Sequence, residues 1–409
     1  MTEINSTNLQ YTGANGRNAL YDIQIPENYN GELVIFIHGF MGFKDWGCWS
    51  LVQDYFVKEG FAFIKYNVSH NGTTVQDPLH FSDTEAFGNN TYTCEVEDLE
   101  GILDIVTHSF EEQPVINLIG HSRGGGIALL FSHNDRISRI ISWAGISNIQ
   151  SRFPKNEMLE KWKKTGFRIV HNSRTGQDLP MNYIQFEDYL TNRKRLNIEY
   201  YCRTSSKPTL VIHGTKDESV SISEGEQIAD WTLTELVKIE GTQHTFGSQH
   251  PCESDSLPPA LLEVCNKTLA FLQQPIDKER NQNISAIVEM IKLAKSDNDF
   301  KQDEFNFIHT LAQMMGISTD EFKELFERYI SFNPPEIEFD RILQFQRLIL
   351  LMNIDGEADI KELNHIRDIG IRMGLNPLAI EKILDTMEDF PNGVIPPDQL
   401  LGIFQVYHN

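Results

Sequence analysis

The sequence predicts an α/β fold, a mostly parallel sheet flanked by helices, with an inserted cap segment and a C-terminal all-helical domain. Three observations carry that expectation. Between Leu33 and Ala270 short apolar runs alternate with longer amphipathic stretches, as parallel strands joined by crossover helices do. A polar, irregular segment at about 148–205 interrupts the alternation. Beyond Gln273, Gln274 and Pro275 the strand pattern ends, and helical spacing punctuated by Gly, Asn and Pro takes over.

Taken in order, the expected strands are 33–37, 62–66, 115–119, 137–143, 209–212 and 235–239, several apolar throughout, as strands covered on both faces must be. The interruption holds Trp162, Asn172, Arg174, Thr175, Pro180, Tyr183, Phe186 and Asp188. It either caps the carboxyl ends of the strands, where open α/β sheets bind ligands, or is an ordinary helical excursion. A chain of 409 residues exceeds what one core usually organises, so two domains are expected, 1–273 and 276–409.

Composition narrows the function. With 40% hydrophobic and 23% charged residues, and no run near the roughly 18 apolar residues of a membrane span, the chain reads as globular with no membrane span. A net charge of −23 argues against nucleic acid, whose binding draws on clustered Lys and Arg. Five widely spaced cysteines read as free thiols, and residues 1–11 lack the basic and apolar regions of a secretory leader, so a cytoplasmic location is expected.

The chemistry starts at Gly120-His121-Ser122-Arg123-Gly124, which follows the apolar run 115–119 and precedes Gly125, Gly126 and an apolar stretch to Phe131. A serine on a tight strand-to-helix turn is exposed for attack, glycines relieve the crowding, and the helix amino end favours developing negative charge. A serine hydroxyl is a weak nucleophile until a base takes its proton, so a histidine and a carboxylate are needed downstream. Asp217 follows the strand 209–212 through His213-Gly214, with Glu218 as the rival acid; His244 follows the strand 235–239 through Gly241. Position singles His244 out among 13 histidines.

Two backbone amides should face the oxyanion: that of Arg123, after the nucleophile, and that of Phe40, after His38-Gly39, with His38 holding the loop. Phe40, Phe43, Trp46 and Trp49 either line an acyl pocket or pack the core, and Arg174 either meets a substrate carboxylate or forms a structural ion pair. No cofactor is expected.

On these motifs, residues 30–272 resemble the α/β-hydrolase superfamily, in particular its esterase, dienelactone-hydrolase-like and serine-aminopeptidase-like branches. The resemblance implies Ser-His-Asp acyl transfer, with Ser122 in place of the cysteine of dienelactone hydrolases proper. Cleavage of a small carboxylic ester or related acyl bond is the first expectation. A serine aminopeptidase or acyl-peptide hydrolase acting on short peptides is the alternative, and an inactive binding or scaffold protein the second.

In the tail, a shift of 58 positions lays Met315-Gly316 on Met373-Gly374, Asp297 on Asp355 and Glu304 on Glu362. The second copy resembles the TerB-like domains of the tellurite-resistance family, which implies a helical bundle with an acidic surface and a protein partner or cation over 276–409. Asp297, Glu304, Asp355 and Glu362 are the candidate metal ligands; carboxylates capping helices explain the same residues. An EF-hand is excluded, because Gln302 and Ile360 stand where its loop requires glycine, and Ile308 and Ile366 where it ends in Glu.

Overall fold

Eight strands form the central sheet of the computed structural model, which describes residues 4–172, 175–275, 278–295, 300–327, 334–335, 337–354, 360–390 and 394–407. The chain divides into two compact units, Met1–Ile276 and Asp277–Asn409.

In the first unit the strands are β1 (Ile4–Thr12), β2 (Asn18–Ile25), β3 (Glu32–Ile37), β4 (Ala62–Tyr66), β5 (Val115–His121), β6 (Ile137–Trp143), β7 (Phe167–Asn172), β8 (Gln177–Asn182), β9 (Thr209–Gly214) and β10 (Leu236–Ile239). The large sheet runs β1-β2-β4-β3-β5-β6-β9-β10; β1, β2 and β4 pair antiparallel, and all later neighbours pair parallel. The helices are α1 (Trp49–Lys58), α2 (Thr84–Gly88), α3 (Tyr92–Ser109), α4 (Arg123–Leu130), α5 (Asn156–Thr165), α6 (Ile184–Asn192), α7 (Ile198–Thr204), α8 (Ile222–Thr232) and α9 (Pro259–Leu272). The expected α/β architecture is the observed one.

Buried apolar strands explain why the parallel part was legible. Every residue of β4 is buried, and Leu33, Val34, Ile35 and Ile37 of β3 are wholly so. β1 and β2 escaped the apolar criterion for physical reasons. β1 is an edge strand with mostly exposed polar side chains, and the apolar run of β2 is broken by buried Asp22, which Lys44 (2.9 Å) and Lys65 (3.1 Å) neutralise. The interruption is also more ordered than its composition suggests: between β6 and β9 lie α5, the antiparallel hairpin β7-β8, α6 and α7.

The second unit consists, among its described residues, of α10 (Lys278–Ala294), α11 (Gln302–Met314), α12 (Thr319–Leu325), α13 (Glu338–Met352), α14 (Ile360–Arg372), α15 (Pro377–Thr386) and α16 (Pro397–Val406) around its own apolar core. The sequence echo is structural. α14 repeats the bounds of α11 at a displacement of 58 positions, and Gly316 (φ 76°) and Gly374 (φ 72°) close the two helices in the left-handed conformation.

Candidate active site

β5 passes into α4 through Ser122, whose backbone is held at φ 59°, ψ −121°. A non-glycine residue in such a region costs on the order of 1–3 kcal/mol, so the surroundings must enforce it. They do so by close contact. A Cβ on Gly120 would lie 2.1 Å from the Gly124 carbonyl oxygen, and one on Gly124 would lie 2.3 Å from that of Ile37. The Ser122 amide donates to the Trp143 carbonyl (2.8 Å), while its own carbonyl accepts from Gly125 (3.0 Å) and Ile146 (3.2 Å).

From the far side of the sheet, the turns after β9 and β10 bring two more expected residues together. His244 Nδ1 lies 2.7 Å from Asp217 Oδ2, and the Asp217 side chain is fully buried. Burial pushes the Asp217 carboxyl up in pKa. Hydrogen bonds from His213 and His244, the His244 charge and the Val220 amide outweigh it and hold the group well below the usual carboxylate range. An ionised Asp217 only accepts, so Nδ1 of His244 carries the proton and Nε2 remains an acceptor. Glu218, the rival acid, is exposed.

Ser122 and His244 line one cavity of about 300 Å³. No hydrogen bond joins their side chains among the described residues. Phe40 and Arg123 line the same cavity, and neither amide donates to another described backbone group. Gly39 brings the β3 loop against the elbow: a Cβ there would stand 2.9 Å from that of Ser122.

His38 does hold that loop. Its Nε2 accepts from the Val68 amide (3.2 Å), so Nδ1 is the nitrogen that donates to the Gly39 carbonyl (2.9 Å). Burial pushes its pKa down to about 4, with the Arg123 charge adding to this and the Gly39 carbonyl opposing it.

Two supporting histidines were not singled out from the sequence. His213, wholly buried, directs Nε2 at both Asp217 Oδ2 (3.2 Å) and the Val220 carbonyl (2.9 Å), so that nitrogen donates and props the Asp217 carboxylate. His121 donates Nε2–H to the His244 carbonyl (2.9 Å), with its ring centred 4.8 Å from that of His244. Both stood inside motifs used only as landmarks, and their position beside Ser122 and before Gly214 was the available signal.

Other expectations separate. Of the aromatic group only Phe40 lines the cavity; Phe43, Trp46 and Trp49 are buried in the core. Arg174, Asp297 and Asp355 lie outside the described residues. Glu304 accepts the Lys301 amide hydrogen at 2.7 Å, closing the amino end of α11, and Glu362 is buried at the equivalent place in α14. No group of three or more potential metal ligands occurs among the described residues.

No family model matches the sequence, and no curated protein matches it. Solved structures do. Est1E from Butyrivibrio proteoclasticus, with ferulic acid bound, aligns at 19% identity and TM-score 0.50 over 64% of this chain and 99% of its own. A soluble variant of the monoglyceride lipase of Saccharomyces cerevisiae, in complex with a substrate analogue, aligns at 17% identity and TM-score 0.50 over 65% of this chain and 95% of its own. A protein of Agrobacterium vitis S4 reaches TM-score 0.52 at 14% identity, over 67% of this chain and 100% of its own. The architecture is the α/β-hydrolase fold. Ser122, Asp217 and His244 stand on the turns after β5, β9 and β10. No helix among the described residues is long and apolar enough to cross a membrane.

Proposed function

We propose that the protein is a serine hydrolase that cleaves a carboxylic ester or related acyl bond through Ser122, His244 and Asp217. The observation that carries this reading is the 2.7 Å contact of Asp217 with His244, whose ring shares a cavity with a serine held in a strained strand-to-helix turn. The likeness in fold to an esterase and a lipase is in keeping with it.

His244 Nε2 takes the hydroxyl proton as Ser122 Oγ attacks the carbonyl carbon, and Asp217 stabilises the imidazolium. The amides of Phe40 and Arg123 receive the oxyanion, helped by the amino end of α4. His244 then protonates the leaving oxygen; water, deprotonated by the same ring, attacks the acyl carbon, and His244 returns that proton to Ser122 Oγ as the ester bond to serine breaks and the acid leaves.

An ester is favoured over an aminopeptidase substrate because, among the described residues, no Asp or Glu lines the cavity to hold a substrate amine, whereas three arginines line it. For the helical unit we keep the TerB-like reading, a module for a protein partner or cation, supported by its repeated helices.

A fluorophosphonate probe tests the assignment: the wild-type protein labels and hydrolyses short aryl esters, and Ser122→Ala does neither, losing turnover by about a millionfold. Wild-type protein inert to both probe and esters refutes it and returns the inactive scaffold as the better account.

A further inference from the structure

The wall of the Ser122 cavity concentrates positive charge in a chain whose net charge is −23. Arg123, Arg152 and Arg168 line it, and among the described residues no carboxylate does. Two of the three are neutralised from behind. Arg123 pairs with buried Glu95 (2.8 Å) and lies 3.7 Å over the Tyr92 ring, and Arg152 pairs with Glu224, which also accepts from the Ser147 amide (2.9 Å).

Arg168, on β7 of the inserted segment, differs. Among the described residues it has no carboxylate partner; its guanidinium lies 5.1 Å over the Trp162 ring, and Nη2 meets the Met181 sulfur at 3.2 Å. Its Nε, like that of Arg152, is buried without a hydrogen-bond partner. Burial lowers its pKa, and no neighbouring anion offsets that cost. The platform beneath it is firm, since Trp162 is 1% exposed and donates its indole N–H to the Met181 carbonyl (2.8 Å). On the same cavity, Gln185 gives its Nε2 hydrogen to the Gly88 carbonyl (2.9 Å), which leaves its buried Oε1 without a donor.

A half-buried guanidinium with no carboxylate partner among the described residues, held over an aromatic ring on the cavity that Ser122 lines, is the complement of an anion. We propose that Arg168 is a specificity residue that receives a carboxylate of the substrate, so that the enzyme prefers acyl esters bearing a free carboxyl group. Gln185 Oε1 then accepts from a hydroxyl or amide N–H of the same ligand. The cavity of about 300 Å³ suits a short dicarboxylic acyl chain or a compact aromatic acid. This inference rests on the hydrolase reading for its turnover arm only.

Two matched ester pairs test it. One compares 4-methylumbelliferyl hydrogen glutarate with 4-methylumbelliferyl valerate, placing the carboxylate on the acyl side. The other compares 4-acetoxybenzoate with its methyl ester, placing it on the leaving group. The expected result is a preference in kcat/KM of about thirtyfold or more for the anionic member of at least one pair. Arg168→Met should collapse that ratio towards one, and Arg168→Lys, which keeps the charge without the fork, should retain part of it. Equal turnover in both wild-type pairs, or a ratio that Arg168→Met leaves intact, overturns the inference while the hydrolase assignment stands. Calorimetry of full-length Ser122→Ala with glutarate separates the two claims: heat that Arg168→Met abolishes supports the anion site even if no ester turns over, and no heat refutes it.

Discussion

Buried carboxylates serve different ends in the two units. In Met1–Ile276, Glu95, Asp217 and Glu224 each stand behind a group that lines the Ser122 cavity: Arg123, His244 and Arg152. In Asp277–Asn409, Glu304 and Glu362 sit within the first turns of α11 and α14, where Glu304 engages a backbone amide. A carboxylate aimed at a side chain sets that group's charge and orientation, whereas one aimed at a helix end satisfies the chain itself. Residue type and exposure are similar in both settings, and the partner decides the role.

The comparison breaks most visibly at Asp217. Asp217→Asn is nearly isosteric, yet an amide opposite Nδ1 favours the wrong tautomer of His244, so kcat for a short aryl ester should fall by about ten-thousandfold with folding retained. A fall of less than about tenfold would show that the carboxylate does not act on the base. Because Asp217 is held well below the usual carboxylate range, the wild-type protein should show no loss of activity from this group at pH 4–7.

His38 sharpens the contrast from the basic side. Below its ordinary pKa of 6.5 the unfolded chain takes up a proton that the folded chain refuses until about pH 4. The resulting stability is complete above 6.5 and declines as the pH falls through that interval, amounting to about 2 kcal/mol between pH 7 and 5. Urea midpoints at the two pH values should therefore differ less for His38→Gln than for the wild-type protein. An unchanged difference would assign the acid sensitivity to other groups.

The smallest effect belongs to the helical unit. Glu304→Ala should cost about 1 kcal/mol, the usual range for a lost cap, and leave ester hydrolysis unchanged. A calcium titration of the full chain should show no heat that Glu304→Ala removes; binding that depends on Glu304 would move this residue from capping to ligation.

Legibility followed the same division. The six parallel strands were readable from short apolar runs, several of them apolar throughout, and the elbow because Gly120 and Gly124 permit a turn that a Cβ would block. β1 and β2 were not, since an exposed edge and a buried Asp22 both erase the apolar signal. His213 and Arg168 were missed for a further reason. One meets a carboxylate four residues away only because its ring turns towards it, the other has no carboxylate partner among the described residues, and neither condition is a pattern along the chain.

The order of the chain alone therefore determined the α/β architecture and the order in which Ser122, Asp217 and His244 follow their strands, because glycine spacing and apolar runs are local constraints on the backbone. Only the tertiary structure decided which charges are cancelled. Glu95 reaches Arg123 and Glu224 reaches Arg152 across long stretches of sequence, while Arg168 is left with a ring and a sulfur, and such pairing is a property of neighbours in space.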